Sequence, residues 1–260
     1  MGILNATPDS FYNKGQSSDT LSLLQNAEKM LKDGASILDI GGASTKPGQD
    51  IISPDEELRR IMPAVEAIHS RFPEAWLSVD TYNSRVAAET VAAGVHIIND
   101  VSSGSIDPLM LEVVARLNVP YIAMHMQGTP KTMQLAPAYE DVVQEVYQYL
   151  EDICSRCTHA GISEVVIDPG FGFGKTVDHN FALLRHLSSF SALGKPVLAG
   201  LSRKSIVCKP LKVNPENALN GTTALNMVAL QQGANILRVH DVKEAMEVVT
   251  LFRHLTGAAG

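Results

Sequence analysis

The sequence carries three cysteines in 260 residues, one tryptophan and only 5% aromatic side chains, and its 21 Lys and Arg are outnumbered by 28 Asp and Glu. A small, odd cysteine count with no secretory signal fits a reducing compartment better than a disulfide framework. Cys154 and Cys157 form a C-x-x-C on what reads as an amphipathic helix. No second ligand pair accompanies them, so they are assigned to packing rather than to metal or redox chemistry. The formal net charge of −7 argues against nucleic acid as a partner, because phosphate backbones are bound by clustered Lys and Arg. No apolar run approaches the roughly 20 residues needed to span a bilayer. Met1-Gly-Ile-Leu-Asn5 also lacks a charged region followed by an apolar signal core, which predicts a cytoplasmic protein without a membrane segment. Linkers are missing too: no Pro/Ser-rich stretch, charge block or low-complexity tract divides the chain, and its apolar residues are spread evenly. Residues 1–260 are therefore read as one domain with a sizeable core.

What is present is a repeat of short β-branched runs and longer helical patterns, the signature of βα units around a parallel sheet. The strand candidates are Gly2–Leu4, Ile37–Ile40, Leu77–Val79, His96–Ile98, Tyr121–Met124, Val165–Ile167, Val197–Ala199 and Ile236–Val239. Ser53-Pro54-Asp55-Glu56 supplies an N-cap, a first-turn proline and a capping-box acid, with Leu58, Ile61, Val65 and Ile68 on one face of the helix that follows. Asp107-Pro108 is expected to open the helix after strand four, and Asp241 with Glu244 the last one. Eight units at this length predict an α/β fold closed as a (β/α)₈ TIM barrel. An open doubly wound sheet is the alternative, since counting units does not prove closure.

Both architectures place chemistry at the carboxyl ends of the strands. Those ends carry Asn5, Gly41-Gly42, Asp80, Asn99-Asp100, His125, Asp168, Ser202-Arg203-Lys204 and His240. A mixture of carboxylates, carboxamides and cations suits one small polar ligand gripped from several sides. Side chains alternate along a strand, so Arg238 and His240 share a side of strand eight. Barrels often bind phosphate after strands seven and eight, so a phosphate or diphosphate ligand is expected there. The run Pro169-Gly170-Phe171-Gly172-Phe173-Gly174-Lys175-Thr176 ends like a P-loop. It has proline where the cradle needs glycine and an N–H, and is not read as a nucleotide site. Its glycines, Gly172 among them, let backbone lie against a flat ligand, with Phe173 stacking nearby.

In their order along the chain these residues resemble the dihydropteroate synthases. The likeness rests on Gly2-Ile-Leu-Asn-Ala-Thr-Pro-Asp-Ser-Phe11, Gly41-Gly-Ala-Ser-Thr-Lys-Pro-Gly48, Ser78-Val-Asp-Thr81, Ile98-Asn-Asp-Val101, Met124-His-Met-Gln-Gly128, Asp168-Pro-Gly-Phe-Gly-Phe-Gly174, Ser202-Arg-Lys-Ser205 and Arg238-Val-His240. The resemblance implies condensation of a dihydropterin methyl diphosphate with p-aminobenzoate. The pterin would be held by Asp80, Asn99, Asp168 and Lys204 over the wall of Met124, Gly172 and Phe173, with Arg238 alongside. It also implies diphosphate contacts at Asn5, Thr45, Arg238 and His240, with Mg²⁺ touching Asn5 and Thr45. The p-aminobenzoate pocket, where sulfonamides compete, would draw on Phe11, Thr45, Lys46, Pro47 and Ser205. The residues implied to carry catalysis are Asp80, Asp168, Lys204, Arg238 and His240, and the implied assembly is a homodimer. Relatives usually carry a few residues before strand one, an arginine at position 46 and an aspartate at 13, where this chain has Lys46 and Asn13. Asp100 is read as a brace and His125 as a core histidine. Two rivals remain: a pterin-dependent methyltransferase, which would not need a diphosphate site, and a silent pterin-binding paralogue.

Overall fold

The computed structural model describes residues 1–6, 16–42 and 51–257. Six parallel strands follow one another in chain order: β1 (Gly2–Asn5), β2 (Ile37–Gly41), β3 (Trp76–Asp80), β4 (Ile97–Asp100), β5 (Tyr121–Met124) and β6 (Val165–Asp168). The short strands β7 (Leu198–Ala199) and β8 (Ile236–Leu237) pair with each other in parallel. Parallel bridges Ile167↔Val197 and Gly2↔Val239 join β6 to β7 and β8 to β1. Hydrogen bonds Ile167 N→Pro196 O (2.9 Å), Ile3 N→Val239 O (3.0 Å) and Val239 N→Met1 O (2.9 Å) support both seams. The ring is closed, as the barrel expectation requires. Helices α1 (Gln16–Lys32), α2 (Pro54–Arg71), α3 (Ser84–Ala92), α4 (Met110–Leu117), α5 (Val142–Ala160) and α6 (Val177–Arg185) each follow one strand, whereas α7 (Ser205–Leu211) and α8 (Leu219–Gln231) both lie between β7 and β8. Helix α9 (Val242–Thr256) comes last.

Strand alternation sorts the side chains into two cores. Leu38 and Ile40, Leu77 and Val79, Tyr121 and Ala123, and Val165 and Ile167 point outward and join the main core beneath the helices. The residues between them point into the barrel. There Ile97, Ile122 and Leu198 pack with Ile37, Val166 and Ile236 as an apolar plug. The next inward positions toward the carboxyl end, in the same register, are Asp39, Asn99, Met124, Asp168 and Arg238, so polarity begins one layer above the plug. Helix α2 forms where its sequence predicts, but without the expected capping box, because the Glu56 carboxylate is taken by Arg59 and Arg60. Ser53 Oγ accepts from Glu56 N at 3.3 Å, Pro54 opens the first turn, and Leu58, Ile61, Val65 and Ile68 are buried.

Two further capping expectations are corrected. Asp241 makes no cap hydrogen bond to α9, because its carboxylate is taken by Arg203, at 3.0 Å to Nε and 2.5 Å to Nη2. Asp107 lies three residues before α4 and holds the turn ahead of it, accepting from Leu109 N at 3.0 Å while its other oxygen receives the Ser84 amide of α3 at 2.8 Å. The cysteines behave as packing residues: Cys157 is fully buried in the core, and burial pushes its thiol up to about 12. No helix among the described residues is long and apolar enough to cross a membrane.

Asp100 is a brace, as expected. Its two oxygens accept from Ser102 N (2.8 Å), Ser102 Oγ (2.7 Å), Gly104 N (2.7 Å) and Tyr121 Oη (2.8 Å). Burial raises its pKa and these donors hold it down, so its role is to fix the turn after β4. Tyr121→Phe should remove one charge-assisted bond and lower unfolding free energy by about 1.5–3 kcal/mol. Urea titration reads this, and an unchanged midpoint would dismiss the brace.

Candidate active site

The barrel mouth is organised around one guanidinium. Arg238, the first inward residue beyond β8, donates from Nε to Asp39 Oδ2 at 2.6 Å and from Nη2 to Asp80 Oδ2 at 2.8 Å. Asn99 Nδ2 donates to the same Asp39 oxygen at 3.1 Å. Strand pairing produces this convergence: Asp80 stands opposite Asn99 across β3 and β4, and Gly41 stands between Asn5 and Asp80. Asp39 is completely buried, yet its Oδ1 has no hydrogen-bond partner, and neither has Oδ1 of Asp80. Burying a carboxylate oxygen without a donor is costly, so these atoms mark where ligand or water donors belong.

Asp39 is a site residue that reading the strand ends misses, because it lies inside β2. The signal was available: one acid between Leu38 and Ile40 in a strand whose neighbours are apolar. A buried charge needs a partner, and Arg238 is the cation opposite.

The second half of the mouth comes from the loops after β6 and β7. Asp168 Oδ1 accepts from Gly170 N at 2.7 Å. Lys204 Nζ donates to Phe171 O at 2.7 Å and stands 4.7 Å from the centroid of the Phe173 ring, within cation–π range. Gly172 has φ +85°, and a Cβ there would come within 3.3 Å of Lys204 Cδ. Glycine at this position thus lets the lysine pass. Phe173 and Met124 belong to one small apolar cluster with Tyr82, Val101, Met126 and Met133.

These charges feel one another. Burial pushes Asp80 up to about 7, Arg238 opposing and Asp39 adding to the rise. Burial raises Asp168 likewise, with Lys204 the chief opposing charge. Lys204 is lowered by burial to about 8, Asp168 opposing. For Arg238 burial works against the charge, but Asp39 and Asp80 outweigh it and hold the guanidinium above its usual value. Arg238 is therefore a permanent cation, and the carboxylates around it are poised to change their proton affinity when a ligand arrives.

His240, the other potential cation beside Arg238, is held differently. Burial, followed by Arg203 and Arg238, lowers it to about 4, so it is neutral near pH 7. Its Nδ1 lies 3.0 Å from Ser202 Oγ, which also accepts from the His240 amide at 3.2 Å. It can meet an anion as a ring N–H donor. Asn5 is exposed at the end of β1, and Ser205 is partly buried as the first residue of α7. Phe11, Thr45, Lys46 and Pro47, with Asn13, lie outside the described residues. Among the described residues no group of three or more His, Cys, Asp or Glu could hold a metal. Asn5 alone is compatible with Mg²⁺ only if phosphate oxygens and water complete the shell, an arrangement that Mg²⁺ commonly adopts.

Comparison with known proteins agrees with this geometry. Residues 1–240 match the model of the family described as pterin binding enzyme. The chain is 47% identical to the dihydropteroate synthase of Escherichia coli (strain K12), over 96% of this chain and 88% of that one. The chain belongs to the dihydropteroate synthase family. It is 44% identical to the Haemophilus influenzae dihydropteroate synthase, covering 99% of this chain and 94% of that one. The Yersinia pestis dihydropteroate synthase, solved with a sulfonamide drug, superposes at a TM-score of 0.93 with 44% identity, over 99% of this chain and 94% of that one. The Xanthomonas albilineans dihydropteroate synthase with 4-aminobenzoic acid superposes at 0.90 with 39% identity, over 98% and 92%. Dihydropteroate synthase activity, a transferase reaction, goes with this membership.

Proposed function

We propose that the chain condenses 6-hydroxymethyl-7,8-dihydropterin diphosphate with p-aminobenzoate, releasing diphosphate, and that the mouth of the barrel divides the work. The observation that carries this reading is the polar floor itself. Asp80 and Asp39 each keep one buried carboxylate oxygen without a partner, beside a fixed guanidinium. An aminopyrimidinone edge offers N–H donors to Asp80 and Asp168 and acceptors to Asn99 and Lys204. Met124, Gly172 and Phe173 supply the apolar wall for the ring.

In the reaction the bond between the pterin methylene carbon and the diphosphate oxygen breaks, and the electron pair leaves with the diphosphate. The ring-stabilised cation is then attacked by the arylamine nitrogen, which loses a proton. No side-chain nucleophile is required. Asp80 and Asp168 favour the positive charge that develops on the ring, while Arg238 and the His240 ring N–H receive the departing anion. Mg²⁺, held by Asn5 and Thr45 together with diphosphate oxygens, would add charge neutralisation on the leaving group. Phe11, Thr45, Lys46, Pro47 and Ser205 form the arylamine pocket in this reading, and sulfonamides compete there as the sulfonamide complex of the Yersinia enzyme suggests. A cytoplasmic homodimer completes the reading; sedimentation velocity tests the dimer.

Diphosphate release from the two substrates with Mg²⁺ tests the reaction. Absence of turnover with intact pterin binding would turn the reading toward a silent pterin-binding protein. His240 is the cleaner probe of the anion site, because Arg238 also neutralises Asp39 and Asp80. His240→Ala should weaken pterin diphosphate about tenfold or more while changing affinity for the pterin alcohol less than about twofold. Equal losses for the two ligands, read by titration calorimetry, would remove His240 from the anion site.

A further inference from the structure

The glycine-rich run that imitates a P-loop ends in Lys175, and the structure does not leave this lysine at the surface. It is 2% exposed. Its Nζ lies 2.9 Å from Gly170 O, 2.9 Å from Phe173 O, 2.9 Å from His125 Nδ1 and 3.3 Å from His125 O. Every one of these partners is an acceptor when His125 is neutral with its proton on Nε2. Burial keeps the imidazole neutral, pushing it down to about 3. Burial also lowers Lys175 to about 7, with Asp168 opposing. An ammonium offers three N–H donors to these four acceptors, whereas a neutral amine would turn a lone pair toward one of them.

The loop tied in this way is the one that shapes the mouth. Gly170 has φ +71°, and a Cβ there would lie 1.9 Å from His125 O, so the backbone of the loop rests directly on the end of β5. Phe171, one residue on, presents the carbonyl that receives Lys204 Nζ at 2.7 Å. Phe173 presents both a carbonyl to Lys175 and its ring to Lys204. Lys175 grips the loop from behind and Lys204 touches it from the front. We propose that Lys175 is a positioning residue for pterin transfer: its buried ammonium holds Gly170–Gly174 in the shape that aims Lys204 and Phe173 at the pterin. This rests on the pterin reading of the mouth, and it adds a residue that reaches the substrate only through another.

Three measurements on the full chain test it. In Lys175→Met, amide exchange at residues 170–174 should quicken at least tenfold relative to the flanking strands, and this readout does not depend on the substrate. Dihydropterin affinity should fall on the order of tenfold to a hundredfold, the scale expected when site groups are displaced by about an ångström. In a Lys204→Met background, adding Lys175→Met should weaken pterin binding by clearly less than it does in the wild-type chain, because only Phe173 is then left for it to aim. Losses that multiply across the two sites, or unchanged exchange in the loop, overturn the proposal. Should Lys175→Met fail to fold, His125→Leu removes one acceptor and keeps the ammonium. Exchange in the loop should then quicken and pterin affinity fall about threefold, and unchanged values of both overturn the proposal. If the wild-type chain binds no dihydropterin while loop exchange responds to Lys175→Met, the grip on the loop stands and the pterin reading of the mouth falls.

Discussion

Asp39→Ala is expected to lower the unfolding free energy by about 3–5 kcal/mol and to reduce turnover by at least two orders of magnitude. The first effect follows from burial. Asp39 is fully enclosed and is the short-range partner of Arg238 Nε at 2.6 Å, so its removal strands a guanidinium in a low-dielectric interior. Asn99 loses its acceptor in the same step. The second effect follows from geometry. Among the described residues Arg238 would keep Asp80 as its one ion-pair partner and swing toward it, displacing both groups from the proposed pterin edge, and displacements of about an ångström cost on the order of a hundredfold in rate. Asp39→Asn separates the two effects, because the carboxamide oxygen can still accept from Arg238 while the charge is gone. Thermal unfolding and single-turnover diphosphate release measure both. Turnover within threefold of wild type in Asp39→Ala would show that Arg238 needs no second anchor.

Asp168→Asn is expected to slow the chemical step by about two to three orders of magnitude while leaving the fold nearly intact. Its Oδ1 accepts a single backbone amide, that of Gly170, at 2.7 Å, a bond the carboxamide oxygen can keep. What disappears is the charge. With it goes the main force holding up the pKa of Lys204, so Lys204 loses its proton at lower pH in the variant. The variant should therefore show a smaller rate and an alkaline limb of the rate profile shifted toward neutrality. Diphosphate release followed across pH reads both, and an unshifted limb would uncouple the pair.

The fold was legible because the strands carry their periodicity openly. Runs such as Ile37-Leu-Asp-Ile40 and Leu77-Ser-Val79 alternate between helix-facing and barrel-facing residues, and the structure places them accordingly. Closure was not legible, since it depends on β7 and β8, two-residue strands that join the ring through isolated bridges. The two helices between them also depart from the one-helix pattern of the preceding units. Most of the site was legible for a similar reason: polar residues at the ends of apolar runs gather on one rim. Asp39 escaped because it lies one layer deeper. His240 was identified by position, but its protonation was not legible, since burial beside Arg203 and Arg238 can be seen only in three dimensions. Asp241 looked like a cap and serves Arg203 instead, a choice settled by a residue 38 positions away.

Among the described residues the plug of Ile97, Ile122, Leu198 and their neighbours fills the barrel beneath the polar floor, so that floor is reached from the carboxyl-end mouth. Whatever sits on the polar floor must enter before anything that sits nearer the opening. For the reaction proposed above the architecture sets an order of arrival: the pterin takes the floor before the arylamine covers it.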